Sequence, residues 1–362
     1  MTRSLKQFNP DFGVPPGEIL QEALEERGMS QAELAERTGR PTKTINEIIQ
    51  GKTAITAETA LQLERVLGVP ARFWTRLEAL YQEYRVKARE ALDLADHSCW
   101  LDELPISSMA KKGWIQKIEN PVSQVREVLN FFGVASPDVW KERWTAAEVH
   151  YRTSPTFELD AGAVSAWLRQ GELLAQKIDC RPFDRDKFLE VLPTIRGATL
   201  YSQNEFEEAI AENCAIAGVA VVFVEAIQNV PVSGATRWLT PKKACIQISY
   251  RHKTDDHFWF TFFHEAGHVL LHGKRDVFID VDDSEGVKEE EANEFANQVL
   301  FPPNSLARFL KAQDFSEAAI TGYAKEIGLA PGIIVGKLQR HRLVSYESRL
   351  NRLKRKLVCR SV

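Results

Sequence analysis

The sequence has little cysteine and no long apolar run. Its 362 residues include 5 cysteines, and these lie far apart without a C-x-x-C pair. That pattern argues against a disulfide framework and against a cysteine zinc cluster. No stretch reaches the roughly 18 apolar residues of a membrane span, and the start of the chain lacks the apolar segment of a signal peptide. We therefore expect reduced thiols, no membrane partner and a protein that stays in the cytoplasm.

The sequence also lacks an excess of positive charge. The formal net charge is −4, so no overall field attracts nucleic acid, and any DNA contact must come from a local surface. Internal repeats, low-complexity tracts and a glycine-rich phosphate loop are absent as well. A hydrophobic share of 44% and a charged share of 27% are typical of globular proteins, and the length fits two or three compact units.

Residues 12–85 carry the pattern of a small helical domain. Apolar residues recur at helical spacing over Glu18–Arg27, and Gly28 follows as a stop signal. Ser30 is a favourable N-cap with Glu33 three positions later, which predicts a capping box at the start of the next helix.

That second helix is predicted over Gln31–Thr38 and ends at Gly39. A short turn then leads to a third helix over Thr42–Gln50, which Gly51 terminates. Two short helices joined by a tight turn around a glycine predict a helix-turn-helix unit.

Polar side chains of this unit are candidates for DNA contacts. Thr42, Lys43 and Asn46 lie near the exposed start of the helix that would enter the major groove, so they could reach base edges. Gln31 at a helix N-terminus and Lys52 just beyond the recognition helix are placed to contact phosphates. The alternative is a helical interaction module whose polar residues are only solvated.

The segment from PPGEILQ to PARFW resembles the HigA-type antitoxin branch of the Xre/Cro repressor family over about residues 12–85. The matching positions are Ser30, Gln31, Ala35, Gly39, Ile45 and Gly51. The resemblance implies a five-helix-type helix-turn-helix domain. It also implies a homodimer that binds a palindromic DNA operator, with two half-sites about one helical turn apart.

Residues 86–203 show helical patches broken by prolines and little chemical signal, so we expect a helical spacer. Tryptophans at positions 100, 114, 140, 144 and 167 could be stacking platforms for single-stranded nucleic acid, but no basic runs are interleaved with them. Core packing is the favoured interpretation.

Strand patterns precede the last third of the chain. Gly218–Glu225 and Ala244–Ser249 are rich in β-branched residues and flanked by turn residues, so both are predicted to be strands. Val232–Leu239 between them is predicted to be an edge strand, which would offer free backbone groups to an extended peptide. A small sheet is therefore expected before the next helix.

The segment FTFFHEAGHVLLH carries the H-E-x-x-H signature on a predicted helix over Phe258–His272. His264 and His268 are four residues apart, so both imidazoles can point at one Zn²⁺ ion from the same helix face. Glu265 is adjacent to the first of these histidines and can hydrogen-bond the attacking water. This arrangement predicts Glu265 as the general base of a hydrolase.

A catalytic zinc needs a third protein ligand, and an acidic run opens the next predicted helix. Periodicity puts Glu291 at the border of the buried stripe, whereas Glu290 and Glu294 point outward. We therefore predict Glu291 as the third ligand. The alternative is a solvated helix start, because acidic residues favour helix N-termini.

His272 lies one turn beyond His268. It could be a fourth ligand, a group that supports a ligand or transition state, or a cation at the helix C-terminus. We favour a supporting role, because four protein ligands would close the site to water. His252 and His257 are expected on the surface or in loops.

FTFFHEAGHVLLH followed by EEEANEFANQVLFP resembles the ImmA/IrrE family of metallopeptidases across roughly residues 200–305. The resemblance implies a minimal zincin-like domain whose zinc is bound by His264, His268 and the glutamate before Ala-Asn, Glu291, with Glu265 as acid/base. Members of that family cleave Xre-type repressors. In this chain a repressor-like domain precedes the peptidase-like one, so the substrate is an open question.

The sequence predicts an α+β, mostly helical protein. The predicted map is a helix-turn-helix domain at 12–85, a spacer at 86–203, a metallopeptidase domain at 204–310 and a helical tail at 311–362. We predict a DNA-binding regulator with zinc endopeptidase activity on an Xre-type repressor or a cognate toxin. The alternatives are a non-catalytic HigA-like antitoxin or repressor whose zinc domain is structural or sensory, and a protein that cleaves itself.

Overall fold

The computed structural model describes residues 13–151, 160–227, 230–274, 277–281 and 286–358. The chain divides into two compact units, Met1–Ser98 and Cys99–Val362. Most of the described residues are helical and one sheet has four strands, which confirms the predicted α+β, mostly helical class. No described helix is both long and apolar enough to cross a membrane.

The described part of the first unit, from residue 13 onward, is built from five helices, as predicted. They are α1 (Pro16–Glu26), α2 (Gln31–Thr38), α3 (Thr42–Ile49), α4 (Ala57–Leu67) and α5 (Ala71–Asp96). Each of the first four contributes large apolar side chains to a common core, and Trp74 of α5 is fully buried with them. The apolar residues at helical spacing therefore pack into one core that the helices share. Short helices such as these would not be stable alone.

The start of α2 shows one half of the predicted capping box. The hydroxyl of Ser30 accepts a hydrogen bond from the backbone N–H of Glu33 at 3.1 Å. The Glu33 carboxylate accepts from Arg37 at 2.5 Å, one turn later, as an i,i+4 ion pair. At the other end Gly39 adopts a φ of 68°, a left-handed conformation that favours glycine.

The second unit holds the remaining elements. Its helices are α6 (Ile106–Lys111), α7 (Pro121–Phe132), α8 (Pro137–Tyr151), α9 (Ala161–Lys177), α10 (Arg185–Gly197), α11 (Gln203–Ile216), α12 (Asp255–Leu271), α13 (Val287–Leu300), α14 (Pro303–Ala312), α15 (Glu317–Ile327) and α16 (Pro331–Arg340). Its strands are β1 (Val219–Phe223), β2 (Val232–Thr240), β3 (Lys243–Ile248) and β4 (Phe278–Val281). Short 3₁₀ helices span Ser98–Glu103, Ala198–Leu200 and Arg349–Leu353.

The sheet has the strand order β1-β3-β2-β4, with β1 parallel to β3 and β2 antiparallel to both β3 and β4. The prediction that residues 232–239 form an edge strand is therefore wrong. Strand β2 is paired on both sides, because Phe278–Val281 returns beside it after α12. That fourth strand has only four residues, too few for a recognisable alternating pattern.

The segment predicted as a spacer packs onto the sheet. From α9, the indole of Trp167 donates to the Val224 carbonyl at 2.8 Å, and the Trp167 carbonyl accepts from the side chain of Gln247, also at 2.8 Å. Helix α5 also continues without a break through residue 86. The boundary between the two compact units along the chain therefore falls after residue 98. Most of the predicted spacer belongs to the second unit.

The tryptophans of this segment support the core interpretation. Four of them are buried, namely Trp100, Trp140, Trp144 and Trp167. The fifth, Trp114, is half-buried and stacks on Phe131 with ring centroids 6.5 Å apart. Their burial leaves no row of exposed aromatic faces for stacking bases.

The predicted tail over 311–362 is an integral part of the second unit. Arg355 donates from its backbone N–H and its Nε to the two oxygens of Asp255, both at 3.0 Å. Lys354 Nζ lies 2.6 Å from Asp256 Oδ2. These contacts fasten the last described residues to the first turn of α12.

Candidate metal site

Helix α12 carries the candidate site. Of its 17 residues, 14 are buried, so it is enclosed around almost its whole circumference, as expected of a core helix. Its C-cap is His272, whose backbone is extended with φ −114° and ψ 168°. The helix therefore ends one residue earlier than predicted, and His272 turns away from the helical register.

Three side chains converge at one point. Nε2 of His264 and Nε2 of His268 lie 2.9 Å apart. Oε2 of Glu289, from α13, lies 3.1 Å from the first nitrogen and 3.5 Å from the second. Donor atoms about 2.0–2.1 Å from a tetrahedral zinc ion stand roughly 3.3 Å from one another. The spacing and the N,N,O donor set of these residues therefore fit zinc.

The structure places Glu289, and not the predicted Glu291, beside the two imidazoles. Glu291 Oε2 lies 3.0 Å from His272 Nε2, and 53% of the Glu291 side chain is exposed. Glu289 precedes Ala292 by three residues and Ala296 by seven, and both alanines are fully buried. Glu289 therefore shares their helix face. The prediction counted Phe295 as a fully buried position, although it is only partly buried. This error shifted the predicted buried face of the helix towards Glu291.

The second nitrogen of each imidazole is held by a neighbouring side chain. Nδ1 of His264 lies 3.1 Å from Asn293 Oδ1, an arrangement in which the N–H donates to the amide oxygen. Nδ1 of His268 lies 2.9 Å from Nδ1 of His272. Such partners fix the ring orientation and leave Nε2 available as a ligand atom. The contact with His268 is compatible with the supporting role that the sequence suggested for His272.

Glu265 is completely buried. Neither of its carboxylate oxygens has a hydrogen-bond partner among the described residues, while its backbone carbonyl accepts from the Thr236 hydroxyl at 3.0 Å. Its carboxylate also lies against Gly234 of β2. A Cβ on that glycine would come within 2.5 Å of Glu265 Oε1. Burial raises the pKa of Glu265 well above its ordinary value, which suits a group that must accept and return a proton.

The pKa values of the three converging groups reflect their mutual contacts. Burial lowers the pKa of His264, but its hydrogen bond to Glu289 and the surrounding carboxylates raise it more, to about 9. Burial is also the largest influence on His268 and lowers its pKa to about 4. Burial raises the pKa of Glu289, yet its hydrogen bonds to the two histidines prevail and bring it to about 2. Glu289 is therefore a charged carboxylate at neutral pH, the form in which a carboxylate binds a cation.

A cleft of about 460 Å³ opens beside these residues. Its wall includes His264, Glu289 and Asn293, with Asp280 of β4. Other residues that line the cleft include His252, His257, Phe260, Lys337, Arg340 and Tyr346. The predicted surface histidines His252 and His257 therefore line the cleft, and their rings stack 4.1 Å apart.

Sequence reasoning missed several residues of this cleft. Asn293 could have been found, because it follows Glu289 by four positions and so lies on the same helix face. Asp280 and Arg340 carried no usable signal. They reach the cleft from a four-residue strand and from a helix far along the chain, and only the tertiary structure brings these elements to α12.

The candidate DNA-contacting residues lie at α2 and α3. Thr42 and Lys43 are exposed at the start of α3, and Lys52 is exposed in the turn that follows it. Asn46 donates from its amide to Gln31 Oε1 at 3.3 Å. The structure therefore brings the predicted base-contacting Asn46 and the predicted phosphate-contacting Gln31 into contact.

Comparison with known families separates the chain into the same two regions. A model described as "Helix-turn-helix" matches residues 20–74. A model described as "IrrE N-terminal-like domain" matches residues 219–354, which begins with β1 and includes the predicted tail up to the Asp256–Lys354 ion pair.

Two curated relatives match a short part of this chain. Virulence-associated protein I of Dichelobacter nodosus is 39% identical over 69 residues, which is 19% of this chain and 64% of the relative. The HTH-type transcriptional regulator YddM of Escherichia coli K12 is 35% identical over 63 residues, 17% of this chain and 67% of the relative. This chain thus spans about two thirds of the length of these relatives.

Two of the solved structures that match each cover 23% of this chain. One is an addiction module antidote protein of a HigA family from Coxiella burnetii, with 30% identity and a TM-score of 0.22, covering 23% of this chain and 92% of that chain. The other is the Pseudomonas aeruginosa antitoxin HigA with the higBA promoter, with 31% identity and a TM-score of 0.22, covering 23% and 90%. Through its N-terminal domain this chain belongs to the Xre-type helix-turn-helix family, and residues 219–354 are similar to the IrrE N-terminal-like domain.

Proposed function

We propose that this protein is a DNA-binding transcriptional regulator whose C-terminal domain is a zinc-dependent endopeptidase. The observation that carries the proposal is the convergence of His264 Nε2, His268 Nε2 and Glu289 Oε2 beside a cleft, with the buried Glu265 carboxylate on the same helix turn. That combination supplies a metal site, a base and room for a polypeptide.

His264, His268 and Glu289 would hold the zinc ion in this proposal. The chemistry that zinc supplies when bound is polarisation of the peptide carbonyl and a lowered pKa of water. Asn293 and His272 keep the two imidazoles in position through their contacts with the Nδ1 atoms. Glu289 supplies the negative charge that compensates the ion.

Glu265 would transfer the proton. It takes a proton from the water whose oxygen attacks the peptide carbonyl carbon, and it returns that proton to the amine nitrogen as the C–N bond breaks. Its burial raises the pKa and thereby strengthens the carboxylate as a base. Gly234 leaves the space that the carboxylate occupies.

A non-catalytic HigA-like antitoxin or repressor, whose zinc domain is structural or sensory, is the second candidate function. A structural zinc site has four protein ligands, and His272 is the residue that could close this one. Its Nδ1 contacts His268 and its Nε2 contacts Glu291, so both ring nitrogens are engaged away from Glu289. This arrangement supports an open site with three protein ligands.

DNA binding is proposed from the first unit. The helix-turn-helix match and the relative described as an HTH-type transcriptional regulator support it, as do the exposed Thr42 and Lys43 at the start of α3. We propose a homodimer that binds a palindromic operator, with Thr42, Lys43 and Asn46 at bases and with Gln31 and Lys52 at phosphates.

The proposed protein substrate is an Xre-type repressor or a cognate toxin. The test is to incubate zinc-loaded wild type and Glu265→Gln with purified repressors and toxins from the same genome, and to measure the intact masses of all proteins. We expect substrate fragments with the wild type only. Cleavage that persists in Glu265→Gln would contradict the assigned role of Glu265.

Two further readouts separate the alternatives. Self-cleavage would shorten the wild-type chain during expression but leave Glu265→Gln at full length. A structural or sensory zinc domain would instead give no Glu265-dependent fragment of any protein, while zinc removal would change operator affinity or unfold the second unit.

A further inference from the structure

Two cations from the C-terminal helix α16 line the cleft beside the candidate metal site. They are Lys337 and Arg340, three residues apart and therefore on one helix face. The Arg340 guanidinium carbon lies 4.8 Å from the centroid of the Phe260 ring. Lys337 Nζ donates to Asn297 Oδ1 at 2.6 Å.

These cations differ from their basic neighbours at the start of α12. Lys354 and Arg355 are neutralised by Asp256 and Asp255. Within the described part of the chain, Lys337 and Arg340 have no carboxylate partner at ion-pair distance. Burial lowers the pKa of Lys337 and repulsion from Arg340 lowers it further, whereas attraction to Glu294 opposes the shift without cancelling it. A bound anion would relieve that repulsion, whereas a neutral ligand would not.

The position of Arg340 relative to the metal site limits what the anion can be. The Phe260 ring is near both groups, 4.8 Å from the Arg340 guanidinium carbon and 6.3 Å from the ring of His264, so that carbon stands at most about 11 Å from the imidazole. An extended peptide advances about 3.3 Å per residue. A carboxylate carried one or two residues from the bond at the metal can therefore reach Arg340.

We propose that Arg340, assisted by Lys337, binds a carboxylate of the substrate and thereby sets the specificity of the cleft. The inference rests on the proposed peptidase function and deepens it. The ligand is a polypeptide with an aspartate, a glutamate or a chain-terminal carboxylate within two residues of the bond at the metal. Arg340 is suited to this role because its planar guanidinium can donate two parallel hydrogen bonds to one carboxylate.

The experiment measures binding without cleavage, on the full-length chain. Zinc-loaded Glu265→Gln protein is immobilised and exposed to randomised, N-acetylated octapeptides, one library with a C-terminal amide and one with a free C-terminal carboxylate. Retained peptides are sequenced by mass spectrometry. The same measurement is made with Arg340→Gln and with Arg342→Gln, each in the Glu265→Gln background. Arg342 is an exposed arginine just after α16 that does not line the cleft, so it is the matched control.

We expect about tenfold enrichment of carboxylates among retained peptides, the effect of one charge-assisted hydrogen-bonded contact. Enrichment of aspartate or glutamate in the amide library identifies a side-chain carboxylate. Preferential retention of the free-acid library identifies the chain terminus. Either preference should disappear with Arg340→Gln and persist with Arg342→Gln. Both variants should keep their zinc, so the loss is assigned to the arginine and not to the metal.

Two outcomes would overturn the inference. One is retention that is independent of carboxylates, or absent from both libraries. The other is an enrichment that survives Arg340→Gln. The proposed function can fail independently of this inference. Carboxylate-selective binding without any Glu265-dependent cleavage would support the carboxylate site and contradict the peptidase function. Glu265-dependent cleavage without a preference for carboxylates would support the peptidase function and contradict the carboxylate site.

Discussion

Oε2 of Glu289 lies 3.1 Å from Nε2 of His264, whereas Oε2 of Glu291 lies 3.0 Å from Nε2 of His272. Two carboxylates separated by one residue thus face different histidines, because successive helix positions are rotated by about 100°. Glu289 is the proposed zinc ligand and Glu291 is a glutamate of the same helix that contacts a different histidine. Substituting each of them in turn therefore tests which one binds zinc.

The first prediction compares Glu289→Gln with Glu291→Gln. Loss of the Glu289 carboxylate removes a proposed ligand, so zinc affinity should fall by more than about 100-fold, the upper range for groups that only support a ligand. Glu291→Gln should retain zinc with at most about a tenfold loss. Metal content after equilibrium dialysis measures both. Equal zinc loss in the two variants would contradict the placement of Glu289.

The second prediction concerns the space around Glu265. In Gly234→Ala the new Cβ would stand 2.5 Å from Glu265 Oε1 and 2.7 Å from Thr261 Cγ2, so the carboxylate must move. We expect peptidase activity to fall by about 100-fold with zinc content unchanged, since small displacements of a reacting group cost that much. Gly322→Ala is the control, because a Cβ there meets nothing within 4 Å. Unchanged activity in Gly234→Ala would show that Glu265 is positioned by other contacts.

The third prediction concerns the anchoring of α12. Asp255 is fully buried and pairs with Arg355, which is itself partly exposed. Arg355→Ala should lower the free energy of unfolding by about 3 kcal/mol, the low end for breaking a buried pair. Arg352→Ala, which breaks an exposed pair with Glu317, should cost less than about 1 kcal/mol. Urea unfolding of both variants checks the contrast.

The pH dependence of that effect has a definite sign. Burial raises the pKa of Asp255, and Arg355 partly opposes this. Without Arg355 the pKa rises further, so the folded state favours the protonated acid. The penalty of Arg355→Ala should therefore be largest at neutral pH, where Asp255 is charged, and should shrink as the pH falls through the pKa of the variant. A penalty that grows on acidification would contradict the pairing.

The fourth prediction concerns thiol reactivity. Burial raises the pKa of Cys245 to about 11 and also raises the pKa of Cys214, whereas Cys99 is exposed. At pH 8 only about one Cys245 in a thousand is thiolate, the form that reacts. Iodoacetamide should label Cys99 in the native protein and spare the two buried thiols until urea unfolds the chain. Peptide mapping by mass spectrometry follows each site, and Cys359 lies outside the described residues.

The fifth prediction separates base contacts from phosphate contacts in the first unit. Lys52→Ala should weaken binding to all DNA sequences alike and reduce the salt-dependence slope by about 1. Asn46→Ala should cost about 1–3 kcal/mol on the operator and relax discrimination at one base pair. Fluorescence anisotropy at several salt concentrations distinguishes them. A uniform loss from Asn46→Ala would assign it to the backbone of the DNA.

The local sequence pattern was enough to predict those features that depend only on residues close together in the chain. The Ser30 cap and the stop at Gly39 predicted the bounds of α2, and the spacing of His264 and His268 put both imidazoles on one helix face. These features depend on backbone geometry within one or two turns. The sequence expresses that geometry directly as residue type and spacing.

Contacts between distant segments decided the remaining features. The sequence alone determined the helix-turn-helix domain, the H-E-x-x-H helix and the mostly helical class. Only the tertiary structure decided that Glu289 faces the histidines, that β2 is an interior strand and that Arg340 borders the cleft. The physical reason is that helix rotation and strand pairing depend on the burial of both partners, and the pattern of one segment does not contain the surface against which it packs.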